Sequence, residues 1–119
     1  MAEYELNWSF GDSGTINGEI KDLLAPGEKE IRSYHQLAKS HATLTDKRLI
    51  YLTTRGLIDT RPDIYSIPLS TITLTCIQAG KLDEILVQTL SGRIHITFTK
   101  NTDARSFYKQ LSRAVIKAL

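Results

Sequence analysis

Hydrophobic and polar positions alternate with a period of two through most of this chain, between two stretches with helical spacing. The cleanest run is Arg93–Thr99, where Ile94, Ile96 and Phe98 alternate with Arg93, His95, Thr97 and Thr99. Such alternation describes a strand with one face in a core and the other in water. Ile85-Leu86-Val87 opens a strand that reaches Leu90, and Ser91-Gly92 predicts the tight hairpin turn between the two. Ile72, Leu74 and Cys76 alternate with Thr71, Thr73 and Thr75, which predicts an apolar face that buries the Cys76 thiol. Ile64–Ile67 reads as a short strand closed by Pro68, and Thr45-Asp46-Lys47 as a turn between the Ala42–Leu44 strand and Leu49–Leu52. Ile31, Ser33, His35 and Leu37 alternate with Arg32, Tyr34 and Gln36, while Arg55-Gly56 and Thr60-Arg61-Pro62-Asp63 predict a loop.

Helical spacing appears twice. Ile16, Ile20, Leu23 and Leu24 mark one face of a short helix, with Asn17 as N-cap and Pro26-Gly27 as its stop. Ala104, Phe107, Tyr108, Leu111, Val115, Ala118 and Leu119 form the stripe of a second helix at the end of the chain, which Asn101 is placed to cap. Residues 1–15, with Trp8 and Phe10 followed by Gly11-Asp12-Ser13-Gly14, read as an arm ending in a turn. These elements predict a mainly β, α+β fold: one domain over residues 16–119, preceded by the 1–15 arm. About seven antiparallel strands would curl into a bent sheet or barrel, with a short N-terminal helix and an amphipathic C-terminal helix as cover.

Composition narrows the class. With 119 residues, 41% of them hydrophobic, the chain has material for one core, and no apolar run approaches the ~20 residues of a membrane helix. One cysteine excludes an intrachain disulfide and any zinc site built on a cysteine pair. A cytoplasmic location is expected. The net charge of +2 is uneven: residues 1–30 hold seven acids and two bases, and the remainder thirteen bases and six acids. The acidic segment is expected to lie against the basic body and neutralise it.

Three short stretches resemble a known family. Leu44-Thr45-Asp46-Lys47-Arg48-Leu49-Ile50 is similar to the T-x-K/R-R-L-hydrophobic signature of small bacterial PH-like domains, relatives of pleckstrin-homology and GRAM domains. Leu24-Ala25-Pro26-Gly27-Glu28 resembles their L-x-P-G-E lead-in to the first strand, and Ile67-Pro68-Leu69-Ser70-Thr71-Ile72 their I-P-L/Y-x-x-I segment. The resemblance spans roughly residues 19–116. It implies a strongly bent sheet of seven strands closed by the last helix, and no single function.

Catalytic chemistry is not expected. His35, His41 and His95 lack the i, i+4 helical spacing of a zincin, so no metal or other cofactor is expected, and neither a nucleophile elbow nor a phosphate loop is present. The expected function is a non-catalytic interaction module for a protein partner or a second copy, with Trp8, Phe10, Phe107, Tyr108 and Leu111 on its interaction surface. The alternative is peripheral binding to anionic membranes through Lys39, His41, Lys47, Arg48 and Arg55. Lys47-Arg48 departs from the spaced basic pattern of phosphoinositide-binding PH domains, and the structural expectation for Arg48 is an ion pair. Nucleic acid is not an expected partner, because aromatics and bases do not share one surface.

Overall fold

The computed structural model describes residues 3–36, 40–54 and 62–119. The chain runs β1 (Tyr4–Phe10), β2 (Asp12–Ser13), α1 (Gly18–Leu23), β3 (Glu30–Gln36), β4 (Ser40–Thr45), β5 (Arg48–Thr54), β6 (Pro62–Pro68), a 3-10 turn (Leu69–Thr71), β7 (Ile72–Gln78), β8 (Glu84–Thr89), β9 (Gly92–Phe98) and α2 (Asn101–Ala118). Two sheets pack face to face, one in the order β1-β9-β8-β7 and the other β2-β3-β4-β5-β6. Two strands more are present among the described residues than the seven expected, and both come from the segment read as an arm.

In β1, Leu6, Trp8 and Phe10 turn inward while Glu5, Asn7 and Ser9 turn outward, and the strand pairs in parallel with β9 from Tyr4↔Gly92 to Phe10↔Phe98. The chain then crosses at Gly11 to the other sheet, where β2 pairs with β3. A Cβ on Gly11 would sit 2.2 Å from the His35 carbonyl oxygen, so only glycine permits this crossing.

The core lies between the sheets. Trp8 stacks on Tyr51 at 4.7 Å, and Phe10 packs among Tyr34, Tyr51, Phe98 and Phe107. Ala104, Phe107, Leu111 and Ala114 of α2 close one open end of this core. β5 is buried on both faces, which explains its unbroken Leu49-Ile50-Tyr51-Leu52 run. Leu49 and Tyr51 join the main core, while Ile50 and Leu52 meet Ile16, Ile20 and Leu24 of the α1 region. Asn17 caps α1 as predicted, accepting from the Glu19 and Ile20 N–H groups, but Leu23 faces solvent.

Two expectations fail at bulges and caps. A register shift between Ile72 and Leu74 reverses the parity of β7. Leu74 is therefore exposed and Cys76 half-buried, while Ile77 packs against the core. Asn101 does not cap α2: Lys100 holds the N-cap position, and the Asn101 Oδ1 accepts from the Asp83 N–H at 2.8 Å.

Candidate functional site

The family-like motifs meet each other in space. Pro26-Gly27 forms a turn with Gly27 at φ +84°, which L side chains rarely adopt, and the Glu28 N–H donates to the Ala25 carbonyl. The turn delivers Glu28 to Arg48, whose Nε donates to Oε2 at 3.0 Å; Thr45 Oγ1 donates to the same oxygen at 2.6 Å and the Ala25 N–H to Oε1. The Glu28 side chain is only 2% exposed. Burial opposes its charge, but the hydrogen bonds from Arg48, Thr45 and Ala25 and the nearby guanidinium outweigh burial and hold the carboxyl at about 2. Arg48 also donates to the Leu23 carbonyl and to Ser66. Its donors are thus engaged in a clasp that ties α1, β5 and β6 together.

Arg48 is in the clasp, and Lys47 sits at the exposed β4–β5 turn, its N–H bonded to Thr45 Oγ1. His41 lies near the start of β4, about 13 Å of strand rise from Thr45, beyond which the turn holds Lys47. It faces His35 across the β3–β4 ladder; burial, and then that neighbour, lower its pKa. Lys39 and Arg55 lie outside the described residues. Of the described members, Lys47 and Arg48 are chain neighbours and His41 stands apart from them at the other end of β4.

The residues expected on an interaction surface also separate. Trp8, Phe10, Phe107 and Leu111 are core side chains, each at most 3% exposed. Tyr108 alone reaches the seam between α2 and β7, where its hydroxyl donates to the Thr75 carbonyl at 3.3 Å.

That seam lies beside β7, which has no strand partner on its outer side among the described residues. Leu90 N–H donates to the Thr71 carbonyl, and Thr73 Oγ1 to the Gln88 carbonyl, so the backbone of Leu90 and Gln88 faces β7. By alternation, Leu86 and Glu84 also face β7, pairing with Cys76 and Gln78. The N–H and C=O groups of Thr75 and Ile77 therefore point away from β8, towards the open edge. Beside that edge lie two hollows. One, of about 500 Å³, is lined by Leu74, Thr75, Ser112, Val115 and Ile116 among others. The second, of about 370 Å³, is lined by Ile77, Ala79, Asp83, Arg105, Tyr108 and Lys109. Arg105 Nε donates to the buried Asp83 carboxylate at 3.1 Å.

A further cleft of about 580 Å³ lies between β1 and β6, with Leu6, Ile64, Pro68 and Leu90 on its walls. Its strands carry protection against pairing: Pro62, Asp63 and Pro68 on β6 and Glu5 on β1. β7, Ile-Thr-Leu-Thr-Cys-Ile-Gln, has neither charge nor proline. A groove between a sheet edge and the last helix is within what the sequence suggests, but its strand is not, because the bulge hides which β7 residues face α2; the absence of charge along β7 was the available signal. Among the described residues, no group of three or more His, Cys, Asp or Glu side chains converges to hold a metal ion. Among the same residues, no helix is long and apolar enough to cross a membrane.

The family model described as "Bacterial PH domain" matches residues 4–115. Among solved structures, the chain is similar to a DUF1696 family protein with a pleckstrin-homology domain from Shewanella loihica PV-4, at 17% identity and a TM-score of 0.75, covering 88% of this chain and 98% of that one. It is also similar to a pleckstrin homology domain from Shewanella amazonensis SB2B, at 18% identity and a TM-score of 0.66, covering 82% of each. A PH-domain-containing protein from Exiguobacterium sibiricum 255-15 matches at 18% identity and a TM-score of 0.55, over 75% of this chain and 49% of that one. No curated protein matches. The bent two-sheet fold closed by α2, the Glu28–Thr45–Arg48 clasp built from the family-like motifs, and a match over residues 4–115 agree: the chain belongs to the bacterial PH domain family.

Proposed function

We propose that this chain is a non-catalytic interaction module that holds an extended protein segment, from a partner or a second copy, against the open edge of β7 beside α2. One observation carries this: β7 is an uncharged, proline-free edge strand with outward backbone groups at Thr75 and Ile77. Natural sheets normally blunt such an edge with charge or proline, and an edge left bare is a template for strand addition. The hollows along α2 give alternate side chains of an added strand somewhere to go, and Leu74 and Ile116, 48% and 70% exposed, supply apolar contact. Binding to anionic membranes lacks a comparable feature, since Arg48 is engaged with Glu28, His41 lies near the start of β4 and Lys47 in the turn at its other end.

The test is Thr75→Pro. The Thr75 N–H lies outside the β7–β8 ladder, so proline removes a donor only from the open edge. Peptides selected on the folded protein from a random library should lose binding to Thr75→Pro while its thermal unfolding stays cooperative. If the segment comes from a second copy, the substitution should lower the solution mass. Binding and mass both unchanged by Thr75→Pro would refute the proposal.

A further inference from the structure

The two hollows of the β7–α2 seam differ in chemistry, and that difference describes the occupant. The hollow towards the C-terminal end of α2 is walled by Leu74, Val115 and Ile116. The other has Arg105 and Lys109 on its helix wall. The Arg105 side chain stays 71% exposed although its Nε is bound to Asp83, and Lys109 is exposed, with no ion pair recorded for it among the described residues. Across its length α2 carries Arg105, Lys109, Arg113 and Lys117 against the single acid Asp103, and β7 adds no charge. The seam is thus apolar at one end, cationic at the other, and overlain by a positive field.

From this asymmetry we infer that the segment bound in the seam is acidic and bipartite: an aliphatic or aromatic side chain fills the Leu74–Val115–Ile116 hollow, and a carboxylate lies opposite Lys109 and Arg105. Thr73 and Ile77, at the two ends of the seam, are four residues apart on β7. Side chains on one face of an extended segment recur every second residue, so anchor and carboxylate stand about four residues apart in the partner. The backbone groups of Thr75 and Ile77 supply affinity without sequence preference, and the hollows supply the choice of side chains. This inference rests on the edge-binding proposal above.

The experiment uses a random peptide library displayed on phage and selected on the wild-type protein. Enriched peptides are synthesised and their binding measured by fluorescence polarisation to wild type, Lys109→Glu, Lys109→Arg and Thr75→Pro. Lys109 is an exposed helix residue, so these substitutions leave the core intact. The expected result is enrichment of an acid about four residues from an apolar anchor. Affinity should then fall about tenfold in Lys109→Glu, survive in Lys109→Arg and decline with added salt. Enriched peptides without acids that bind Lys109→Glu normally but fail on Thr75→Pro would overturn the charge inference and leave the edge proposal standing. Peptides indifferent to Thr75→Pro, or no enrichment, would overturn both.

Discussion

Glu28 and Arg48 show how a charged pair can be structural in a chain whose basic excess invites a binding role. The carboxylate is buried and accepts from Arg48, Thr45 and the Ala25 N–H, so removing the guanidinium would strand a buried charge. Arg48→Met is expected to destabilise the fold by about 3–5 kcal/mol, measured by urea unfolding at neutral pH. Because the folded pKa of Glu28 lies below its ordinary 4.5, at about 2, its contribution is complete above 4.5 and is lost as pH falls towards 2. Wild type should lose stability across that window, and Glu28→Gln should lose less there. Trp8 makes the same point with an apolar side chain. It is 3% exposed and stacked on Tyr51, and Trp8→Ala should cost about 3–5 kcal/mol in the same measurement. An ion pair for Arg48 was an expectation of the sequence; its partner, twenty residues upstream, was not legible there, because it is the Pro26-Gly27 turn that brings Glu28 to it.

At the scale of elements, β1 is held by more than its ladder. On the outer face of its sheet, His95 of β9 stands between Glu84 of β8 and Glu5 of β1, each ring nitrogen 2.8 Å from a carboxylate oxygen. A carboxylate only accepts, so both contacts are satisfied together when both ring nitrogens donate, an arrangement that favours the imidazolium. Hydrogen bonds donated to Glu84 and then to Glu5 raise its pKa; Arg93 is the other charged group on this face of β9. A raised folded pKa means the clamp's stabilisation is complete below 6.5 and is lost as pH climbs through the folded value. His95→Gln should therefore be less stable than wild type at pH 6 by no more than about 1 kcal/mol, the pairs being partly exposed, and the gap should close by pH 9. Tyr108 sets a second expectation. Its hydroxyl occupies the Thr75 carbonyl that an added strand would use, so Tyr108→Phe should tighten peptide binding up to about fivefold, read by fluorescence polarisation. The Leu6-Trp8-Phe10 alternation in β1 was visible in the sequence, but a parallel pairing with a strand some ninety residues later was not. The β7 bulge was also invisible, since one inserted residue changes no composition and yet exchanges the faces of Leu74 and Ile77.

For the whole molecule, closure of the core and openness of the edges belong together. α2 and the crossing at Gly11 seal the space between the sheets, and this consumes nearly every large aromatic. What remains for partners is backbone at the sheet edges and the grooves beside them. Three acids of the first thirty residues pair with the body, Glu5 with His95, Asp12 with Lys100 and Glu28 with Arg48, so the charge asymmetry along the chain is partly spent inside the fold. The α2 bases on the β7 side are what the seam retains. The general plan, a bent β fold under a terminal helix, followed from strand periodicity and the helix stripe. Which strand borders the seam did not, because it depends on which edge is left bare. The most direct test is amide hydrogen exchange on isotopically labelled protein, with and without a library-selected peptide. The account predicts that the Thr75 and Ile77 amides become protected and that slowed exchange centres on β7. Protection centred on the β1–β6 cleft or on the Lys47 turn, with Thr75 and Ile77 unchanged, would contradict it.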